Sequence, residues 1–144
     1  MRACEVQFVI GASAAHTALG AAIDKATELG IKINVAVVDS GGNLAGFLRM
    51  PGAPLHSIDI AIDKAYTAAS FGIPTADWDP ILAEGSAAFQ AGFTARPRLV
   101  PFGGGLPLIL DHELVGAIGV SGGSEAQDSV CAQAGLRALG ADGQ

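Results

Sequence analysis

The stretch from Val115 to Asp128 constrains this chain most, because small and β-branched residues run into Gly122-Gly123 and from there into a helix start. Val115, Ile118 and Val120 give it the character of a central strand, and Gly116 and Gly119 leave room for a second backbone or a ligand to come close. Ser124 with Gln127 three positions on reads as a capping box, so a helix is expected from Glu125. A glycine turn at a helix start aims several free N–H groups, and the positive end of the helix dipole, at one spot where an anion could bind. The same residues also meet a purely geometric need: many strand-to-helix junctions use Gly and a Ser cap with no ligand at all.

A chain of 144 residues fits one domain, taken here as 1–144. Half of it is hydrophobic, yet only 6% is aromatic and 15% charged. Its core must therefore be built from Ala, Val, Ile and Leu, with close backbone approach at glycine. So little charge for so much apolar content implies surface covered by other subunits, and a homo-oligomer is expected. The formal charge of −6 excludes the basic footprint of a nucleic-acid binder and disfavours anionic membrane surfaces. Cys4 and Cys131 lack CxxC spacing, so no zinc or redox pair is assigned, and two idle thiols suit a reducing compartment. Arg2 and a short apolar patch faintly echo a secretory signal, but Glu5 and Gln7 interrupt it. No apolar run reaches membrane-spanning length, and a cytoplasmic location is expected.

Along the chain, residues 1–11 read as a short strand or arm. From Ser13, Ala15, Ala18, Leu19, Ala22, Ile23, Ala26 and Leu29 form one helical stripe, which Gly30 ends. Residues 31–39 read as a strand buried on both faces, Ser40-Gly41-Gly42-Asn43 as a turn, and 44–49 as the returning strand. Pro54 opens a helix over 55–71 with a core stripe of Leu55, Ile58, Ile62, Ala65 and Ala69, and Gly72 closes it. His56, Asp59 and Asp63 fall on an adjacent face, where they could hold a metal or a His–Asp pair, or simply meet solvent. A poorly patterned helix passes through Ile81, Leu82 and Phe89. Arg96-Pro97-Arg98-Leu99-Val100-Pro101 reads as extended, its two arginines a local exception to the acidic balance. Gly103-Gly104-Gly105 could form an anion nest or allow a bend. Strands over 106–110 and 114–121 enclose Asp111-His112-Glu113, with His112 exposed at the tip. The last helix spans 125–139, and the tail 141–144 is expected to fray. Two hairpins joined by helices predict an α/β (α+β) fold with one mostly antiparallel sheet flanked by helices.

Three blocks, taken together, resemble the GlcG/HbpS family, the haem-degrading or PduO C-terminal-like domain. They are Val35-Ala36-Val37-Val38-Asp39-Ser40-Gly41-Gly42 with Arg49-Met50; Ile60 to Ala68; and Gly103-Gly104-Gly105-Leu106-Pro107 with Gly116 to Gly123 and Asp128. The likeness covers nearly all of the chain after residue 12. It implies a profilin-like three-layer α/β/α sandwich, dimers or larger rings, and members that bind or degrade haem or associate with corrinoid and glycolate metabolism. The motif positions it implies are Asp39, Arg49, Lys64, Gly104, Gly105, Ser121, Gly122, Gly123 and Asp128. No single axial haem position is common to the family.

Two functional readings follow, with a blander third. In the first, the chain binds haem or another small molecule, with Arg49, Lys64 or the glycine amides meeting propionates. The side chains able to reach iron are then His16, His56, Met50, Cys131 and Tyr66. In the second, it is a cofactor-independent lyase, isomerase or hydrolase acting on a small anionic metabolite. Arg49 with Gly103, Gly104, Gly105, Ser121, Gly122, Gly123 and Asp128 would then bind the ligand, while His56 or Asp39 moves a proton beside Lys64. The third is a non-catalytic assembly subunit whose glycine-rich pocket is filled by a neighbour.

Overall fold

A computed structural model describes residues 1–141. Four strands, β1 (Asn34–Asp39), β2 (Leu44–Arg49), β3 (Gly105–Leu110) and β4 (Glu113–Ser121), form one sheet in the order β2-β1-β4-β3, every pair antiparallel. The period-two alternation of side chains splits β1 cleanly between two cores. Val35 and Val37 join Ile118, Val120, Leu106 and Leu108 against α1 (Ala12–Leu29) and α5 (Glu125–Arg137). Ala36, Val38 and Ala117 face α2 (Ser57–Phe71) on the other side. The fold is thus an antiparallel sheet flanked by helices, as the two hairpins predict. Among the described residues no helix is long and apolar enough to cross a membrane.

The helix α2 departs from its expected stripe. Leu55 lies before the helix and is largely exposed, while Ala61, Lys64, Ala65 and Ala68 are buried against the sheet. Ile62, Ala65 and Ala69 of the expected stripe do face this core, but the buried face is turned from the rest of the stripe toward Ala61, Lys64 and Ala68. Close packing decides this, because a Cβ on Gly119 would strike the Ala61 carbonyl and the Ala65 amide. Where backbones lie that near, only Gly and Ala fit between them.

Other differences have local causes. Residues 31–33 precede β1; Met50 N–H donates to the Ile33 carbonyl (3.0 Å), and Ile31 N–H turns back to the Ala26 carbonyl (3.0 Å). The N-terminal segment is an arm held by Ile10 N–H on the Val115 carbonyl and Ser40 Oγ–H on the Phe8 carbonyl. The poorly patterned helix is two, α3 (Trp78–Glu84) and α4 (Ala87–Thr94), preceded by a 3-10 turn at Thr75–Asp77. Gly85 leaves helical geometry there, and Ser86 Oγ accepts the Phe89 N–H to start α4. Residues 96–98 turn instead of extending, with Arg98 left-handed at φ 66°. Of the tail, Ala141 is buried and its N–H donates to the Leu136 carbonyl, against the expectation of fraying; 142–144 lie outside the described residues.

Candidate functional site

The glycine-rich junction comes together in space as its residues suggested, but the N–H groups of Gly103, Gly105 and Gly123 are already used. Lys64 reaches from α2 past the end of β4, where its ammonium donates to the Val120 carbonyl at 2.9 Å and to Asp128 Oδ2 at 3.0 Å. Both side chains of this pair are sealed, 1% and 4% exposed. The other oxygen, Asp128 Oδ1, accepts the Gly123 N–H at 2.8 Å. Glu125 Oε1 accepts the Gly103 N–H (2.9 Å) and Thr75 Oγ1 accepts the Gly105 N–H (2.9 Å). The chain's own carboxylates and hydroxyl thus stand where an external anion was expected. Ser124 and Gln127 form the expected capping box.

Glycine is required here by geometry. Gly104 sits at φ 126°, and a Cβ there would press on the Lys64 ammonium at 2.6 Å and on Asp128. Gly122, at φ 139°, lies against Lys32 and Ile33. Both backbones occupy a region that L side chains disfavour. Burial raises the Asp128 carboxyl above its ordinary 3.8 and lowers the Lys64 ammonium below 10.5, each in spite of the partner's opposite charge.

The remaining expected site residues are dispersed. Asp39 is spent on its own hairpin turn: Oδ1 accepts the N–H groups of Gly41 (2.9 Å) and Asn43 (3.0 Å). It pairs with Gly116 at the end of the sheet opposite Ser121, so it does not meet Lys64 or the glycine junction. Arg49 closes the 51–54 loop by donating to the Ala53 carbonyl at 2.7 Å. His56 is exposed at the start of α2, His16 is exposed on α1, and His112 is exposed at the β3–β4 turn. Met50 Sδ accepts the Ile33 N–H at 3.4 Å. Cys131 is fully buried, and burial pushes its thiol up to about 11, which keeps it protonated. Among the described residues no group of three His, Cys, Asp or Glu side chains could hold a metal ion.

An open apolar cavity lies elsewhere. A groove of about 350 Å³ runs between the C-terminal half of α2 and the segment after α4, lined by Tyr66, Phe71, Phe93, Arg96, Arg98 and Leu99. Its size sits at the lower end of small-molecule sites, roughly 300–1,000 Å³. The chain has few aromatics, and it concentrates them here: Phe71 and Phe93 pack on buried Trp78 with centroids 4.8 and 4.6 Å away, and Phe89 stacks on Phe93 at 5.1 Å. Trp78 Nε1 is buried without an acceptor. The sequence carried a sign of this groove in its two arginines around Pro97. Nothing in the sequence showed that they would face Tyr66 and Phe93.

The model of the family described as haem degrading protein HbpS-like matches residues 10–137. A 15.0 kDa Citrobacter freundii protein from the dhaT-dhaS intergenic region, itself uncharacterized, is 39% identical over 78% of this chain and 79% of its own length. The corrinoid adenosyltransferase PduO of Salmonella typhimurium is 34% identical over 86% of this chain, which spans only 37% of that protein. Among solved structures, Klebsiella pneumoniae ORFY superposes with a TM-score of 0.90 at 35% identity, covering 98% of this chain and 97% of that one. A PduOC:heme complex superposes with a TM-score of 0.83 at 32% identity, covering 90% and 94%. With one family model spanning nearly the whole fold and relatives above 30% identity along most of both chains, this protein belongs to the HbpS-like family.

Proposed function

We propose that the chain is a small-molecule-binding domain whose ligand lies in the Tyr66–Phe93 groove, and that this ligand is haem or another flat apolar molecule with an acidic edge. The observation that carries this reading is an open aromatic cavity rimmed by two arginines in a chain of net negative charge. The lining suits such a molecule: Phe71 and Phe93 supply an apolar wall and Arg96 a cation for a propionate, while Tyr66 has one ring face covered by the Arg98 guanidinium. His16, His56, Met50 and Cys131 do not line this groove. Bound haem would supply redox-active iron. The chain's own residues bind and orient the ligand and screen one face of it from water. The HbpS-like family name and the haem complex of PduOC point the same way.

Turnover on a cofactor-independent route has less support, since Asp39 and Lys64 are engaged in the fold and His56 stands apart in solvent. An assembly role is not the primary reading either, because this chain's own side chains fill the glycine junction. Self-association remains part of the proposal: α4 buries no residue, and Leu44 and Leu48 on β2 are exposed. A cytoplasmic setting is likewise proposed from the sequence.

Titration with hemin is the test. A shifted Soret band saturating at one equivalent per chain, weakened by Phe93→Ala, is expected. A spectrum that stays that of free hemin removes the haem reading, and saturable binding indifferent to Phe93→Ala moves the site out of the groove.

A further inference from the structure

Arg98 is held at the groove from three directions, all from one face of α2. Its Nε donates to Asp63 Oδ1 at 2.9 Å, its guanidinium carbon lies 3.6 Å from the centroid of the Tyr66 ring, and its carbonyl accepts Thr67 Oγ–H at 3.0 Å. Positions 63, 66 and 67 follow the i, i+3, i+4 spacing that puts side chains on one helical face. Thr67 Oγ1 also accepts the Val100 N–H at 3.1 Å, fixing the far side of the turn. The grip holds Arg98 in the left-handed region, a conformation a residue with a Cβ disfavours and keeps only where its surroundings impose it.

A surface arginine usually wanders, and ordering it costs side-chain entropy. Here that ordering precedes any ligand. Of the guanidinium, only Nε has an acceptor among the described residues, and the side chain is 43% exposed. Its two terminal nitrogens form a fixed fork at the rim of an apolar groove, matched in geometry to a carboxylate. Tyr66, the groove's one side chain of a haem-ligating kind, instead lies under that guanidinium on one side. Gly42 lies beside its Cδ2–Cε2 edge, where an added Cβ would meet Cε2 at 3.0 Å.

Resting on the groove reading above, we infer that ligand choice is made by carboxylate recognition at Arg98 and not by iron. The site then takes flat aromatic or tetrapyrrole carboxylates whether or not they carry a metal. Asp63, Tyr66 and Thr67 are the positioning residues for that fork.

The wild-type protein provides the main test, with metal-free protoporphyrin IX and its dimethyl ester as probes read by fluorescence, and hemin by absorbance. The free acid is expected to bind with an affinity close to that of hemin, and the ester on the order of tenfold more weakly or worse. Arg98→Gly relieves the left-handed strain and deletes the fork; it should weaken the free acid by a similar factor and leave the ester unchanged. Arg98→Lys keeps the charge without the planar fork and should recover only part of the loss. Equal binding of acid and ester overturns the inference, as does hemin binding with no binding of protoporphyrin IX; either result leaves the groove reading standing. If no probe binds, both fall.

Discussion

The glycine junction and the aromatic groove place polar chemistry beside α2 in opposite ways. At the junction, Lys64, Asp128, Glu125 and Thr75 pair with one another or with backbone, and the central ion pair is sealed from solvent. In the groove, Arg96 and Arg98 stand at an open rim beside Tyr66, Phe71 and Phe93, and of the Arg98 guanidinium only Nε has an acceptor among the described residues. A satisfied buried network specifies structure, because breaking any member strands a charge. An open rim with unspent donors is where binding energy remains available. The junction spends its polar groups on the fold; the groove offers the unspent chemistry.

The contrast breaks most sharply at Lys64. Lys64→Met leaves Asp128 buried without its cation and is expected to cost about 3–5 kcal/mol in urea unfolding. A loss below about 1 kcal/mol would mean the pair is not structural. Adding Asp128→Asn, which keeps an acceptor for the Gly123 N–H, should restore part of that loss.

The same pair predicts a pH signature. Asp128, raised in the folded state, contributes stability that is fully present below 3.8 and is lost as pH rises through its folded value; Lys64, lowered, contributes stability present above 10.5 and lost as pH falls through its folded value. The wild type should therefore gain on the Lys64→Met/Asp128→Asn variant toward either extreme, with its smallest advantage near neutrality. Urea midpoints of both proteins at about pH 4, 7 and 10 measure this. An advantage that peaks at neutrality contradicts it.

Two smaller effects bound the comparison. Ser124→Ala removes the cap that starts α5 and should cost about 1 kcal/mol without altering hemin affinity. Arg96→Ala at the groove rim should move stability by no more than about 0.5 kcal/mol while weakening hemin binding. If Arg96→Ala instead destabilises as much as the cap deletion, the groove is a structural element and the division between the two regions fails.

Most of the secondary structure was legible in the residues. The capping box at Ser124, the stops at Gly30 and Gly72 and the continuous apolar run of β1, buried on both faces, are local signals, read over a few positions. The stripe on α2 was read in part: Ile62, Ala65 and Ala69 face the core and Leu55 does not, for a physical reason. Hydrophobic spacing rewards large side chains, whereas a helix pressed close onto a sheet buries the small ones, and Lys64 with them. Asp39 shows the converse: an Asp at a strand end before Ser-Gly-Gly-Asn commonly bonds the turn backbone, and Asp39 Oδ1 accepts the N–H groups of Gly41 and Asn43.

The sequence by itself determined most of the order of elements, the antiparallel sheet flanked by helices, and the family. Tertiary structure alone decided which chemistry those elements would share. Lys64 finds Asp128 across 64 residues, and Arg98 finds Asp63 across 35. Such pairings depend on how the layers stack and where the chain reverses, and no local pattern encodes the distance between two side chains on separate elements. That stacking turned an expected anion pocket into a sealed ion pair, and left the arginines after α4 facing an open aromatic groove.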